Sequence, residues 1–250
     1  MREVKPQIFF IEDKTDLQKT VTAMGVDWDV PVGVSFHEAL AEFGGRLCYE
    51  SWSNTDNLNI TKIREGNDEY IKNVLKQKHG SIFEHGNLVF LFHNVSRVFT
   101  HELVRHRAGS AFSQTSSRYV RLSDIKFWIP DCINDNLAAR SVFLEAVRQD
   151  EENQRKLEEI FQADLEAKDF SKKKELTSAF RRISPNGMAN NILWSTNHRA
   201  LRNIIELRCS EHAEVEIRGV FREVAHMMYK LFPSIYSDLN EDFTFQNGKI

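Results

Sequence analysis

The segment at residues 87–95, NLVFLFHNV, restricts the fold more than any other part of the chain. It is rich in residues that favour strands. Its apolar side chains fall on both faces of a strand, with Leu88, Phe90 and Phe92 on one face and Val89 and Leu91 on the other. A strand that is apolar on both faces is typical of a sheet covered on both sides. We therefore expect Asn87–Val95 to be a strand with other elements packed against each face.

Helical periodicity predicts most of the remaining elements. Ser35 is expected to cap a helix that runs to Cys48, in which Gly44–Gly45 permit close packing. Ser210 is expected to cap a long amphipathic helix that ends at Leu231. The other predicted elements are a strand at Gln7–Glu12, a helix at Asp68–Lys78 capped by His79–Gly80, a helix-like run at Arg97–Arg107, helices between Asn134 and Arg182, a strand at Asn190–Thr196 and a helix at Arg199–Arg208.

The composition permits one sizeable hydrophobic core. The chain has 250 residues, of which 41% are hydrophobic, and no break in composition marks a second domain. We therefore expect residues 1–250 to form a single domain. The net charge of −3 gives no overall attraction to nucleic acid, so any binding of anions must be local.

The cysteines and the hydropathy pattern indicate a soluble, cytoplasmic protein. Cys48, Cys132 and Cys209 are widely spaced and odd in number, which argues for a reducing compartment and against a disulfide framework. No stretch approaches the roughly 20 apolar residues of a membrane helix. The N-terminal apolar run is too short for a signal peptide.

Residues 105–120, RHRAGSAFSQTSSRYV, concentrate cationic and hydroxyl side chains. Arg105 and Arg107 follow a helix-like run, so the negative end of a helix dipole can explain one of them. It does not explain the five serines and threonines at 110–117 and the arginine that follows them. Guanidinium groups with clustered hydroxyls suit phosphate or another anion with several oxygens. The residue types favour an anion-binding site, with a solvated basic loop as the alternative.

A second group of arginines lies in the C-terminal half, and its members are Arg181, Arg199, Arg202 and Arg208. Arg202 is compatible with an ordinary surface position. Arg208 directly follows a stretch with three apolar residues, and a cation in such surroundings needs an anionic or carbonyl partner. Together with the central loop, these arginines predict a ligand with several oxygen-bearing ends.

Metal and cysteine chemistry are weaker hypotheses. A metal site would combine His212 and Glu216, which are four residues apart on a predicted helix, with Glu84–His85. An ordinary hydrogen bond on the helix surface explains the helical pair better, so we expect no metal. Cys48 falls within an apolar helix pattern and is expected to be buried. Cys209 follows an arginine, which can lower a thiol pKa. No GxSxG elbow, P-loop or GxGxxG turn indicates another route to catalysis.

The segment at 100–120, THELVRHR…SQTSSRYV, resembles the signature of the flavin-dependent thymidylate synthases, in which RHR is followed by seven residues and a serine. Three further segments are similar to that family in the same order, namely GRLCYESWS at 45–53, HGSIFEHGNLVF at 79–90 and TNHRALRNIIELRCSEHAEVEIR at 196–218. The resemblance therefore covers most of the chain, and the helical middle at about 134–175 is its weakest part.

One position departs from that signature. The serine expected after seven residues is Thr115, and Ser116 comes one place later, whereas the Ser-x-Arg-Tyr ending is intact. We interpret this as an extra residue within Ala108–Phe112. It affects the loop contacts between Ser110 and Ser113, and with them the preference for one pyrimidine nucleotide over another.

The resemblance implies an α/β (α+β) fold without a Rossmann domain, in which a mixed sheet is flanked by long helices. It also implies a homotetramer whose active sites lie between subunits. The family binds FAD, oxidises NADPH and methylates C5 of dUMP with the methylene group of 5,10-methylenetetrahydrofolate. It needs no enzymatic cysteine nucleophile, because the cofactors carry most of the chemistry and the protein supplies orientation and electrostatics.

The resemblance further implies roles for individual residues. The implied FAD contacts are Ser81, Arg105, His106, Arg107, Gln114, Asn197, Arg199 and Asn203. The implied dUMP contacts are Glu102, Arg105, Gln114, Ser116, Ser117, Arg118, Arg181 and Arg208. Arg208 is the implied catalytic residue, because a guanidinium beside the uracil carbonyls stabilises the negative charge that grows as the ring is activated.

Two alternatives stay open on the sequence alone. An enzyme that modifies C5 of another pyrimidine nucleotide, such as UMP, would use the same residues. A non-catalytic nucleotide- or RNA-binding protein would also need these arginines, although the acidic net charge argues against RNA.

Overall fold

The computed structural model describes residues 7–116, 126–166 and 169–250. The helices in these ranges are α1 (Lys14–Met24), α2 (Phe36–Tyr49), α3 (Asn67–Lys76), α4 (Arg97–Leu103), α5 (Asp131–Asn134), α6 (Leu137–Ile160), α7 (Gln162–Glu166), α8 (Phe170–Phe180), α9 (His198–Arg208) and α10 (Val215–Leu231). The strands in the same ranges are β1 (Asn87–Ser96), β2 (Ala111–Gln114) and β3 (Ala189–Asn197). Short 3-10 turns occur at Gly80–Glu84 and Arg181–Ile183.

The described residues divide into two compact units whose segments alternate along the chain. Unit 1 contains the described residues up to Leu88 together with Thr196–Ala213 and Arg218–Ile250. Unit 2 contains the described residues of Val89–Ser195 together with Glu214–Ile217. Helices α1 to α3, α9 and most of α10 therefore belong to unit 1, and the sheet belongs mainly to unit 2.

Unit 1 is built around α2, which begins where the sequence predicts. The Ser35 hydroxyl accepts a hydrogen bond from the backbone N–H of Glu38, whose carboxylate accepts one from the backbone N–H of Ser35, so the two residues form a capping box. Helix α2 packs against α1, α3 and the 3-10 turn at Gly80–Glu84. Leu17 and Phe43 belong to an apolar cluster of this unit.

Two predictions of secondary structure in unit 1 are wrong. Residues 7–12 form no strand, and Ile8 is 96% exposed, because the segment has no neighbouring strand that would cover its apolar side chains. Helix α3 is capped by Gln77 and not by His79–Gly80. Lys78 instead adopts a positive φ of 59°, and Gly80 begins the 3-10 turn.

The sheet has the strand order β1-β3-β2. Strands β2 and β3 are antiparallel, with Ala111 opposite Ser195. Trp194 is fully buried, and its ring stacks on those of Phe90 and Phe92 at centroid distances of 5.5 and 6.0 Å. The two strands at 87–96 and 189–197 are thus confirmed, and the chain combines helices and strands as predicted. The small three-stranded sheet is antiparallel, so the implied mixed sheet is wrong.

Only one face of β1 is covered within the described residues. Leu88 and Phe92 are 8% exposed, whereas Val89 is 65% exposed and Leu91 is 64% exposed. The prediction of a strand covered on both sides is therefore wrong for the part of the chain that the structure describes. The sheet instead presents apolar side chains on an open face.

The helical middle is confirmed as helices α6, α7 and α8. Leu165, Leu176 and Phe180 form one apolar cluster there, and Val147 and Met188 form another. Helix α10 starts later than predicted, because the carboxylate of Glu214, and not Ser210, accepts the first free backbone N–H groups. No helix within the described ranges is long and apolar enough to cross a membrane.

Candidate functional site

A cavity of about 320 Å³ lies in unit 1 among α2, α3, the 3-10 turn and α9. Its wall combines aromatic rings, small residues and two cations, and its lining residues are Gly45, Cys48, Tyr49, Tyr70, Val74, Lys78, His79, Gly80, Ser81, Ile82 and Arg199. Its volume lies at the lower end of the range for small-molecule pockets, which is about 300–1,000 Å³. Ser81 and Arg199, two predicted FAD contacts that are distant in sequence, therefore line one cavity.

Arg199 is held at the cavity wall by two acceptors. Its Nε donates to the carbonyl oxygen of Ile250 over 3.0 Å, and its Nη1 donates to Oε1 of Glu84 to form an ion pair. The Arg199 side chain is 42% exposed. A guanidinium has five N–H donors, so three stay available for a ligand with several oxygens.

Two glycines of the lining are fixed by close contacts. A Cβ at Gly45 would lie 2.5 Å from the hydroxyl oxygen of Tyr70, and a Cβ at Gly80 would lie 2.6 Å from the carbonyl carbon of Ile250. Neither position has room for a larger residue without displacement of its neighbours. The predicted close packing at Gly45 is thus explained by the aromatic wall of the cavity.

A stacked aromatic pair separates this cavity from a second one. The rings of Tyr49 and His79 stack at a centroid distance of 5.8 Å, and Tyr49 Oη lies 3.3 Å from His79 Nδ1. The second cavity, of about 180 Å³, shares both residues and is also lined by Arg46, Lys62 and Arg64. Sequence reasoning assigned His79 only a role in capping a helix and assigned Tyr49 no role, although both residues stand in segments that resemble the family.

The cysteines differ from the prediction in one case. Cys48 is exposed and lines the larger cavity, so its predicted burial is wrong. It lies near the C-terminal end of α2, where the side of the helix that carries Cys48 faces the cavity and not the apolar cluster. Cys209 is buried, and burial raises the pKa of its thiol to about 12 despite the nearby Arg222 cation. A thiol with that pKa is neutral and is a poor nucleophile.

Two ring contacts of the buried His198 fix the start of α9. His198 Nε2 lies 2.9 Å from Nδ1 of His37, and His198 Nδ1 lies 3.1 Å from the hydroxyl of Tyr236. Burial, followed by the nearby His37 and Arg202, lowers the pKa of His198 to about 3. The ring is therefore neutral and acts as a hydrogen-bonded anchor one residue before Arg199.

Arg202 is buried, which contradicts the predicted surface position. Its side chain is 2% exposed, and Nη1 and Nη2 donate to the two carboxylate oxygens of Asp238 over 2.8 and 2.9 Å. The guanidinium also lies 3.8 Å from the centroid of the Phe245 ring. The sequence did not reveal this pair, because Asp238 lies 36 residues away in a segment without regular structure.

Three further predicted residues on or next to α9 lie outside the lining of the cavity. Asn197 caps the helix, since its side-chain oxygen accepts from the backbone N–H of Ala200 over 2.9 Å. Asn203 is exposed, and Arg208 is half-buried at the last position of the helix. Arg208 is thus at the negative end of the helix dipole, where a cation is favoured.

The RHR segment lies in unit 2, beyond the end of α4. This helix ends at Leu103, so the predicted helix up to Arg107 is too long. Arg105 and Arg107 are exposed, and His106 is half-buried. Gly109 follows with a positive φ of 65°, and this residue lies within the segment that we interpreted as one residue longer than the signature. The two exposed guanidinium groups can therefore meet a ligand from solvent.

Further predicted substrate contacts of unit 2 lie on α4 and on or just after β2. Gln114 lies on β2 and donates to the Thr100 hydroxyl over 3.0 Å, and Glu102 is half-buried on α4. Ser116 is half-buried just after β2. Ser117 and Arg118 lie outside the described residues. In the neighbouring turn, the Ser110 hydroxyl accepts from the indole N–H of Trp194 over 3.1 Å, which ties the turn to the sheet.

Arg97 is a cation that sequence reasoning missed. It is half-buried in unit 2, and burial followed by the nearby Arg181 cation lowers its pKa. Arg97 also occupies the first turn of α4, where the positive end of the helix disfavours a cation. Its place after the capping Ser96 was an available signal in the sequence, because a cation in the first turn of a helix is unfavourable unless an anion lies near it. Arg97 and predicted Arg181 thus form a two-cation group.

Glu216 stabilises the start of α4. Its Oε1 accepts from the backbone N–H of Ser96 over 2.7 Å, and its Oε2 accepts from the Ser96 hydroxyl. Ser96 in turn caps α4 through the backbone N–H of Phe99. Burial raises the pKa of Glu216. Within the described ranges, no group of three or more His, Cys, Asp or Glu residues is arranged to hold a metal ion.

Comparison with known proteins identifies the family. The sequence model of the family described as "Thymidylate synthase complementing protein" matches residues 34–234. The chain is 34% identical to the flavin-dependent thymidylate synthase of Corynebacterium diphtheriae over 92% of this chain and 89% of that protein. It is 31% identical to the protein of the same name in Mycobacteroides abscessus over 96% and 92% of the two chains. The chain belongs to the thymidylate synthase complementing protein family.

Proposed function

We propose that this protein is a flavin-dependent thymidylate synthase, an FAD-dependent transferase that methylates dUMP at C5 to give dTMP. The observation that carries the proposal is the convergence of Ser81 and Arg199, two residues matched to the family's FAD contacts, on one cavity. The family membership and the names of the relatives support the same activity.

The residues of the cavity suit part of FAD. Arg199 offers three N–H donors to a pyrophosphate or ribose oxygen, and Lys78 adds a second cation. Tyr49, Tyr70 and His79 provide aromatic surface for a planar ring system. At about 320 Å³ the cavity is small for a dinucleotide, so we assign it one part of the cofactor. We assign the remaining FAD contacts to Arg105, His106, Arg107, Gln114, Asn197 and Asn203.

The two-cation group of unit 2 suits the phosphate of dUMP. A phosphate beside Arg97 and Arg181 would offset the mutual repulsion of the two guanidinium groups and form charge-assisted hydrogen bonds with both. Glu102, Arg105, Gln114, Ser116, Ser117 and Arg118 complete the proposed contacts with the nucleotide. Arg97 is thereby added to the residues that the family resemblance assigned.

Arg208 is the proposed catalytic residue. Its guanidinium would donate to the uracil carbonyl region and stabilise the negative charge that develops there when C5 becomes nucleophilic. Bound FAD supplies the redox chemistry for reduction of the transferred one-carbon unit. The neutral, buried thiol of Cys209 takes no part in this step, which agrees with a mechanism without a cysteine nucleophile.

The geometry of α9 supports active sites that are shared between subunits of a homotetramer. Arg199 and Arg208 are nine residues apart, which places them about 14 Å apart along the axis and on opposite faces of the helix. The cavity of unit 1 is accordingly lined by Arg199 and not by Arg208, and a site that brings FAD next to dUMP would draw the second arginine from another chain. The exposed apolar side chains of Val89 and Leu91 offer a surface for contact with another copy.

The remaining parts of the proposal follow from the family resemblance. NADPH would reduce the flavin, and 5,10-methylenetetrahydrofolate would donate the one-carbon group. We further propose that the whole chain acts as a single catalytic domain in the cytoplasm, without binding nucleic acid, membrane or a metal ion.

The test is a visible spectrum followed by a turnover assay on the same preparation. Purified protein supplied with FAD should show the absorbance bands of oxidised flavin, and NADPH should bleach them. Formation of dTMP should then require dUMP and methylenetetrahydrofolate. Faster methylation of UMP than of dUMP would overturn the assigned substrate, and a folded protein that takes up no flavin would overturn the proposed function itself.

A further inference from the structure

The C-terminal segment Phe245–Ile250, which we call the strap, runs along α9 to the wall of the cavity in unit 1. Phe245 is 5% exposed and lies under the Arg202 guanidinium. The backbone N–H of Gly248 donates to the carbonyl oxygen of Phe245 over 2.8 Å, which turns the strap at a glycine with a positive φ of 67°. The strap ends beside Gly80, where the Ile250 carbonyl oxygen accepts from Arg199 Nε.

The strap is anchored by Asp238, which joins it to α9. The Asp238 carboxylate accepts hydrogen bonds from both terminal nitrogens of Arg202. Its Oδ2 also accepts a hydrogen bond from the side-chain amide of Asn247 over 2.9 Å. The backbone N–H of Gln246 donates to the Asp238 carbonyl oxygen over 2.8 Å. Asp238 and Arg202 are 6% and 2% exposed, so the anchor is a buried and specific contact.

The far end of the strap is tightly restricted. A Cβ at Gly80 would lie 2.6 Å from the carbonyl carbon of Ile250, 2.9 Å from its oxygen and 3.0 Å from Arg199 Nε. The Ile250 carbonyl, Gly80 and the guanidinium therefore fix one another's positions. A shift of the strap would remove the acceptor of Arg199 Nε, and Glu84 would be the one remaining acceptor of this side chain within the described residues.

We propose that the strap is a positioning device for the cofactor cavity, in which Asp238 and Asn247 act through the Ile250 carbonyl to hold the Arg199 guanidinium in its ligand-binding orientation. This inference rests on the proposed role of Arg199 in FAD binding. With Nε and one N–H of Nη1 occupied, the guanidinium presents its three remaining donors in a fixed direction. A preorganised donor loses less conformational entropy when the ligand binds.

The experiment measures the rate of FAD release from the holoprotein after dilution, by the increase in flavin fluorescence. Two variants disturb the strap in different ways, since Asn247→Ala weakens its anchor and removal of residues 249–250 deletes the carbonyl acceptor. We expect each to accelerate FAD release roughly five- to tenfold, the equivalent of about one hydrogen bond. Asn240→Ala is the matched control, because it removes an exposed amide hydrogen bond to Thr244 outside the strap, and it should leave the rate unchanged.

A double-mutant cycle separates positioning from a general loss of stability. In an Arg199→Lys background, Asn247→Ala should give little further acceleration, because lysine has no Nε–H for the Ile250 carbonyl. Equal acceleration in both backgrounds, or wild-type release rates in both strap variants, would overturn the inference. Absence of flavin from the wild-type protein would instead overturn the proposed function, so the two failures are distinguishable.

Discussion

Replacement of Asp238 by asparagine should destabilise the protein strongly, because it leaves the buried Arg202 cation without its counter-ion. Removal of one partner from a buried ion pair costs about 3–5 kcal/mol. We expect the lower end, about 3 kcal/mol, because Arg202 keeps the Ile235 carbonyl at 2.6 Å and the face of Phe245. For a chain of this length, each kcal/mol lowers Tm by about 2–4 °C, so Asp238→Asn should lower Tm by about 6–12 °C in differential scanning calorimetry.

Two controls make this prediction specific. Asp242→Asn changes an exposed carboxylate of the same region, and it should shift Tm by less than about 2 °C. The double variant Arg202→Met with Asp238→Asn should recover much of the lost stability, because no unpaired charge is left buried. A Tm for Asp238→Asn within 2 °C of wild type would refute the reasoning that the pair is desolvated and mutually dependent.

The same pair predicts a dependence on pH. Burial raises the pKa of Asp238, but the hydrogen bonds from Arg202 and Asn247 outweigh it and hold the pKa below its ordinary value of 3.8. The carboxylate therefore stabilises the folded state above pH 3.8, and this contribution is lost as the pH falls through the depressed folded value. The difference in Tm between wild type and Asp238→Asn should shrink in that acidic window, and a constant difference would contradict the assignment.

Three further perturbations test other parts of the structure. Gly45→Ala should destabilise the protein by about 1–3 kcal/mol in denaturant unfolding, because its Cβ would lie 2.5 Å from the Tyr70 hydroxyl. Addition of Tyr70→Phe to this variant should restore part of the lost stability, and a Gly45→Ala variant as stable as wild type would show that the cavity wall is not close-packed. Cys209→Ala should retain dTMP formation once folded, since the thiol is buried and neutral; abolished turnover with intact flavin absorbance would contradict this. Arg97→Met should raise KM for dUMP by about 10- to 100-fold, with Arg97→Lys intermediate; an unchanged KM would remove Arg97 from the proposed phosphate site.

Helices were predicted correctly where the residues that stabilise them are close together in the sequence. The capping box of Ser35 and Glu38 uses residues three apart, and it set the start of α2 correctly. The start of α10 was misplaced because Ser210 and Glu214 are both acceptable caps, and only the fold decides between them. Residues 7–12 have strand-like composition, but a strand also needs a neighbour in a sheet.

Site residues were predictable mainly through family resemblance, and the missed ones depend on distant contacts. Arg199 was matched by motif, whereas its acceptor at Ile250 comes from a segment that no motif covers. Arg202 looked like a surface residue because its partner, Asp238, lies far along the chain. Cys48 was assigned to the core because helical periodicity identifies an apolar stripe without showing that a cavity interrupts it.

The most direct measurement is the fate of the one-carbon unit. FAD-loaded protein would be incubated with dUMP, NADPH and methylenetetrahydrofolate labelled with deuterium at the methylene carbon, and the nucleotides would be analysed by mass spectrometry. We predict labelled dTMP in the complete mixture and none when FAD or dUMP is omitted. Flavin-loaded, folded protein that forms no labelled dTMP from dUMP would contradict the proposed activity.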